Sequence, residues 1–206
     1  MRSLVCGTMT PRITLVMLLL LLAAVKAALA DSWPNATVKA VVSENGETIV
    51  RVIPGTSIGD TYGFAGSRKG KFAMAQWFRF RSNRYELYQT IQLVHPVAPI
   101  HAAVANDGTL ITLDNWHNVG FGDVVAIYAP DGKLRKKYRL ADLYSTEVIE
   151  KIKRSVSSIW WRCLKSDPHI QRNNTVQVDD TLGGRFTFHL ENGAHIYEAG
   201  VGECRP

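Results

Sequence analysis

Residues 99–140 read PIHAAVANDGTLITLDNWHNVGFGDVVAIYAPDGKLRKKYRL, and this stretch decides the fold. Ile100 to Ala105 and Leu110 to Leu113 are short apolar-rich runs on either side of Asn106-Asp107-Gly108. Val124 to Tyr128 and Leu134 to Leu140 flank Pro130-Asp131-Gly132 in the same way. Asp-Gly between two such runs supplies the positive φ angles that a tight hairpin needs, so the stretch predicts two consecutive antiparallel hairpins.

The same grammar extends in both directions. Thr37 to Val42 and Thr48 to Ile53 flank Glu44-Asn45-Gly46, and Phe72 to Phe80 and Tyr85 to Leu93 flank Ser82-Asn83. Near the end, Arg185 to Leu190 and Ala194 to Ala199 flank Glu191-Asn192-Gly193, with a further short strand expected around Val176 to Val178. Residues 40–50 lie over residues 102–112 without a gap, pairing Ala40-Val41-Val42 with Ala102-Ala103-Val104 and one turn with the other. The chain therefore reads as all-β. Antiparallel four-stranded meanders span about 37–94 and 99–140, and a C-terminal hairpin unit spans 174–206.

Four antiparallel strands repeating at about sixty residues resemble the blades of β-propeller-like repeats in exported bacterial proteins of unknown function. The resemblance is carried by the strand, Asn-Asp-Gly, strand, loop, strand, Pro-Asp-Gly, strand order of residues 99–140, and it covers about half of the chain that follows the leader. It implies two blades and a partial third. A propeller closes with four or more, so the units either stack as an open arrangement or are completed by other copies. One helix is expected over 141–155. There Leu143, Val148, Ile149 and Ile152 recur near helical spacing, Ser145 is placed as an N-cap, and the intervening charges face water.

The first thirty residues carry a different signal. Arg2 and Arg12 precede the unbroken apolar run Ile13 to Val25, and Ala28-Leu29-Ala30 is a small-x-small site before Asp31. A run of thirteen fits a cleaved secretory leader and falls short of the ~20 residues that span a bilayer. The expected organisation is a signal peptide over 1–30 and one β-rich domain over 31–206, exported to a periplasm or secreted. Cleavage removes three of the 24 basic residues and none of the 18 acidic ones, so the net charge falls from +6 to +3. That balance gives no electrostatic case for nucleic acid. The basic clusters Lys133 to Arg139 and Arg68 to Lys71 read as solvated surface, with anionic envelope material as the sharper reading. Cys163 and Cys204 are the two cysteines left after cleavage, and an oxidising compartment predicts a disulfide between them. Asn35-Ala36-Thr37 and Asn173-Asn174-Thr175 match the glycosylation acceptor pattern, which has meaning only in a eukaryotic host.

Candidate chemistry concentrates in Asp114-Asn115-Trp116-His117-Asn118-Val119-Gly120-Phe121-Gly122-Asp123. Polar side chains and a tryptophan in a glycine-bearing loop between strands suit ligand contact on a rigid scaffold, with Asp114, Asn115, Trp116, His117 and Asp123 as the binding candidates. The same residue types also build self-capped turns. The Gly-rich loop Pro54 to Gly70 is the second candidate contact surface. The leading expectation is an exported non-enzymatic binding or interaction module without a cofactor, its partner an envelope polymer or another exported protein. One rival is a metal-assisted hydrolase in which His95, His101, Asp114 and His117 hold zinc, although no recognised ligand spacing is present. The other is a structural subunit that assembles with copies of itself. No nucleophile elbow or phosphate-binding glycine loop occurs in the sequence.

Overall fold

The computed structural model describes residues 33–57, 69–164 and 168–204. The expected signal segment, most of the Gly-rich loop after Pro54, three residues of the connection after Leu164 and the last two residues lie outside that set. All described residues belong to one compact unit that spans Asp31–Pro206.

Among the described residues eleven strands form three antiparallel sheets, and within each sheet strands adjacent in sequence pair with one another. The first sheet contains β1 (Lys39–Val42), β2 (Thr48–Ile53), β3 (Met74–Arg81) and β4 (Arg84–Gln92) in that order. The second contains β5 (Pro99–Val104), β6 (Leu110–Asn115), β7 (Val125–Tyr128) and β8 (Leu134–Tyr138). The third is a three-stranded meander of β9 (Thr175–Asp179), β10 (Arg185–His189) and β11 (His195–Glu198). This is the expected all-β arrangement of two four-stranded units and an incomplete third. The five hairpin turns read from sequence each connect paired strands.

Burial patterns show how the sheets stack. In β2 the inward Val50 and Val52 are buried, and Arg51 between them is exposed. β10 buries Phe186 and Phe188 and leaves Arg185, Thr187 and His189 only partly covered. Strands β6 and β7, by contrast, are buried at every position. A strand covered on one face alternates, and a strand covered on both reads as a continuous apolar run. The second sheet is therefore the middle layer. Val104, Leu110, Ala126 and Tyr128 pack with Val50, Val52 and Trp77 of the first sheet. Ile111, Leu113, Val125 and Ile127 pack with Val176, Phe186 and Phe188 of the third.

Turns lock this stack at specific points. Trp77 donates its indole N–H to the Gly108 carbonyl at 2.9 Å, tying the first sheet to the turn of the second. The Asn45 backbone N–H donates to Asn106 Oδ1 at 2.9 Å, so the turns of the two aligned hairpins touch. Gly132, at φ +82°, lies where an added Cβ would stand 2.7 Å from Ile91 Cγ2. Only glycine fits that close approach of the β7–β8 turn to β4.

The helical region differs from expectation. In place of one helix over 141–155 there are two short ones, α1 (Leu140–Leu143) and α2 (Thr146–Lys151). Tyr144 and Ser145 between them are extended. The break has a tertiary cause: the Tyr144 hydroxyl donates to the buried Asp180 carboxylate at 2.8 Å, and its ring stands edge-on to Phe186 at 5.2 Å. Ser145 does hold the N-cap position of α2, but its side chain makes no capping hydrogen bond. Trp161 is fully buried, while its neighbour Trp160 is only partly so.

Cys163 and Cys204 are joined in a disulfide across 41 residues of sequence, as expected. The C-terminal strap is also pinned by the Glu203 N–H donating to Asp179 Oδ2 at 3.0 Å. Among the described residues no helix is long and apolar enough to cross a membrane.

Candidate functional site

The loop that leaves β6 is built around two adjacent anchors. Asp114 takes a left-handed backbone (φ +57°) and is fully buried. Its Oδ1 accepts from Trp161 Nε1 at 2.7 Å and from the Gly120 N–H at 3.1 Å, and its Oδ2 accepts from Arg162 Nε at 2.5 Å. Asn115 donates through Nδ2 to the Phe121 and Asp123 carbonyls at 2.7 and 3.1 Å. Its Oδ1 lies 2.9 Å from His95 Nδ1. The polar capacity of both side chains is thus used within the chain. They hold the loop closed by hydrogen-bonding it across its own width.

Burial sets the protonation of His95. The imidazole is fully enclosed, and loss of water pushes its pKa down to about 4. Nδ1 faces Asn115 Oδ1 at 2.9 Å, and Nε2 lies 2.7 Å from the Thr112 hydroxyl, which also donates to the Ala126 carbonyl at 3.2 Å. His101 Nδ1 accepts from Arg162 Nη2 at 2.9 Å, so Arg162 bridges Asp114 and His101. His117 stands apart. It has φ +72°, its ring lies 6.1 Å from Trp33, and burial lowers its pKa.

The structure therefore brings His101 and Asp114 together only through a guanidinium. It ties up both nitrogens of His95 and places His117 in an aromatic setting. Among the described residues no group of three or more His, Cys, Asp or Glu is set to hold a metal ion. Asp123 faces β8, with Oδ2 2.9 Å from Lys137 Nζ.

Trp116 is partly buried, packing against the core at the edge of the loop. Its Nε1 donates to the Pro34 carbonyl at 2.9 Å, its ring lies 5.6 Å from Trp33, and Lys39 Nζ sits 5.1 Å from its centroid. Trp116 and Lys39 line a cavity of about 390 Å³ between β1 and β5, the first strands of the first two sheets. Thr37, Lys39, His101 and Trp116 supply its polar and aromatic walls, and Ala40 and Ala102 form part of its lining. A lysine ammonium over an indole face, next to a hydroxyl and an imidazole, is a surface that recognises flat or ring-shaped polar ligands.

Sequence reading found Trp116 but missed Lys39, Trp33, Arg162 and the alanines. One signal was present. Ala40 and Ala102 occupy equivalent positions of the aligned repeat, and a small residue at the same place in two facing edge strands leaves room between them.

No protein family matches the sequence, and no curated protein matches it either. Among solved structures, the chain is similar to the crystal structure of HIRA residues 644–1017, at 10% sequence identity and a TM-score of 0.34. The match covers 82% of this chain and 54% of that one, so the chain spans about half the length of that structure. The description of the fold as blade-like rests on the three stacked meanders.

Proposed function

We propose that this chain is an exported, non-enzymatic binding module that grips its ligand in the groove between β1 and β5. One observation carries the reading: the 390 Å³ cavity whose rim combines Trp116, Lys39, His101 and Thr37. The export part is supported by the Arg2-to-Ala30 leader pattern and by the Cys163–Cys204 disulfide, which belongs to an oxidising compartment.

The ligand class that suits these groups is an acidic envelope polysaccharide. A sugar ring stacks on the Trp116 indole, its carboxylate meets the Lys39 ammonium, and Thr37 and His101 hydrogen-bond to hydroxyls. The buried Asp114 and Asn115 act indirectly, by fixing the loop that presents Trp116. Asp123 braces the same loop against β8.

Titrating the purified protein with a uronic-acid oligosaccharide, followed by tryptophan fluorescence and calorimetry, tests this. The expected result is saturable binding that Trp116→Ala weakens at least tenfold and Lys39→Ala weakens further at low salt. Binding that both substitutions leave unchanged would overturn the assignment of the groove.

A further inference from the structure

The outer face of the first sheet carries an exposed apolar row beside a polar one in which Arg51, Gln76 and Thr90 align, and the inner face is covered. The inner face packs on the second sheet through Val50, Val52, Ala75 and Trp77. On the outer face, strand register aligns Val42 with Ile49, Ile49 with Phe78, and Phe78 with Leu87, an unbroken apolar row across all four strands. Val42 is 55% exposed and Leu87 51%. Two residues along the strands, Phe80 stands opposite Tyr85 with ring centroids 5.2 Å apart, at 45% and 42% exposure. Ile53 and Met74 form a further pair on this face.

The outward face of the third sheet is unlike it. Its cross-strand partners are Gln177 with Thr187, Asp179 with Arg185 and Arg185 with Glu198, and Ile196 is its one large apolar side chain. A ring of copies would press the apolar face of one first sheet onto the polar face of the next third sheet. That contact matches poorly. A twofold contact along the Val42–Ile49–Phe78–Leu87 row pairs that apolar row with itself.

We propose that the chain forms a face-to-face homodimer in which a second copy sits on the outer face of the first sheet. The twofold axis runs along the Val42–Ile49–Phe78–Leu87 row. Charge placement supports this occupant. Glu47 and Arg51 lie on β2 and the residue leading into it, two positions to either side of Ile49. Rotation about the row sets each Arg51 over the Glu47 of the other copy, giving two symmetry-related ion pairs at the rim.

Four strands about 4.8 Å apart and six residues at about 3.4 Å give a face of roughly 400 Å² in projection, the size of a small, readily dissociating interface. Two such faces pack at about 10 Å separation with their strands nearly aligned. The proposal is separable from the groove reading, because Ile49, Phe78 and Leu87 of this row do not line the groove.

Multi-angle light scattering and sedimentation equilibrium of the purified exported protein test it. The expected mass is twice that of the monomer at micromolar concentration. Leu87→Asp, at a half-exposed position that tolerates a charge, should weaken the dimer at least 100-fold with an unchanged far-ultraviolet dichroism spectrum. Arg51→Glu should weaken it, and Glu47→Arg added to that variant should restore it. Ile196→Asp should change nothing. A clean monomer at 100 µM, assembly beyond two copies, or a dimer broken by Ile196→Asp but indifferent to Leu87→Asp would each overturn the proposal.

Discussion

The Arg162 guanidinium meets the Asp114 carboxylate at 2.5 Å, with the two side chains at 1% and 0% exposure. Arg162 comes from the segment that follows the helices and Asp114 from the end of β6, so this contact joins the β6–β7 loop to the chain that leads into the third sheet. A buried pair of this kind costs much desolvation, and removing one partner strands the other. Arg162→Met is expected to destabilise the protein by about 3–5 kcal/mol in urea titration. The double variant Asp114→Asn with Arg162→Met should recover part of that loss. A single-variant loss below about 1 kcal/mol would show that the pair is not holding the loop.

His95 gives stability a predictable dependence on pH. Its folded pKa lies near 4, and an unfolded chain has the ordinary value near 6.5, so between these the unfolded state holds more protons. Stability is full above about pH 6.5 and declines as the pH falls toward 4. The total is about 3 kcal/mol in order of magnitude. The depressed pKa of His117 acts in the same direction. Denaturant midpoints measured from pH 4 to 7 should show the slope, and His95→Gln should flatten it. An equally steep profile in that variant would assign the effect elsewhere.

Two glycines separate backbone conformation from crowding. Gly46 has φ +72° and open space around a built Cβ, so Gly46→Ala should cost only the ~1–2 kcal/mol of a left-handed alanine. Gly120 has φ +76°, and its Cβ would stand 2.5 Å from the Ile159 carbonyl oxygen. Gly120→Ala should therefore cost more than ~3 kcal/mol, because backbone must move as well. Thermal melts of the two variants compare them directly, and equal losses would contradict the close approach.

The Cys163–Cys204 bridge closes a loop with a sequence separation of 41. In the chain-entropy account it contributes about 4 kcal/mol by restricting the unfolded chain. Cys204→Ser, or reduction of the native protein, should lower the urea midpoint accordingly and free the Glu203 strap. Unreduced peptide mapping should recover the two cysteine peptides linked, and two alkylatable thiols would refute the bond.

The hairpins were legible because each is a local event. Asn45-Gly46, Asp107-Gly108, Asp131-Gly132 and Asn192-Gly193 fix turn and register within a dozen residues, and Cys163 with Cys204 needed only the count of cysteines. The split of the helix was not legible, because it depends on Tyr144 reaching Asp180, 36 residues away. The 114–123 loop stands out in the sequence by its polar and glycine content. The division of labour within it depends on partners that no local pattern announces. Arg162 and Trp161 claim Asp114, His95 claims Asn115, and Trp116 reaches back to the Pro34 carbonyl at the edge of the groove. The middle layer was not legible either: β6, LITLDN, is buried at every position although Thr112, Asp114 and Asn115 interrupt its apolar pattern.

That middle layer also governs how this protein tolerates change over generations. Where a sheet has one solvated side, every second codon is free to wander. Between residues 110–115 and 125–128 there is no such outlet, since each side chain is enclosed on one side or the other. Diversification is thereby channelled into the flanking layers and turns. Two lineages that bind unrelated targets could differ almost everywhere outside these ten positions and still share one architecture.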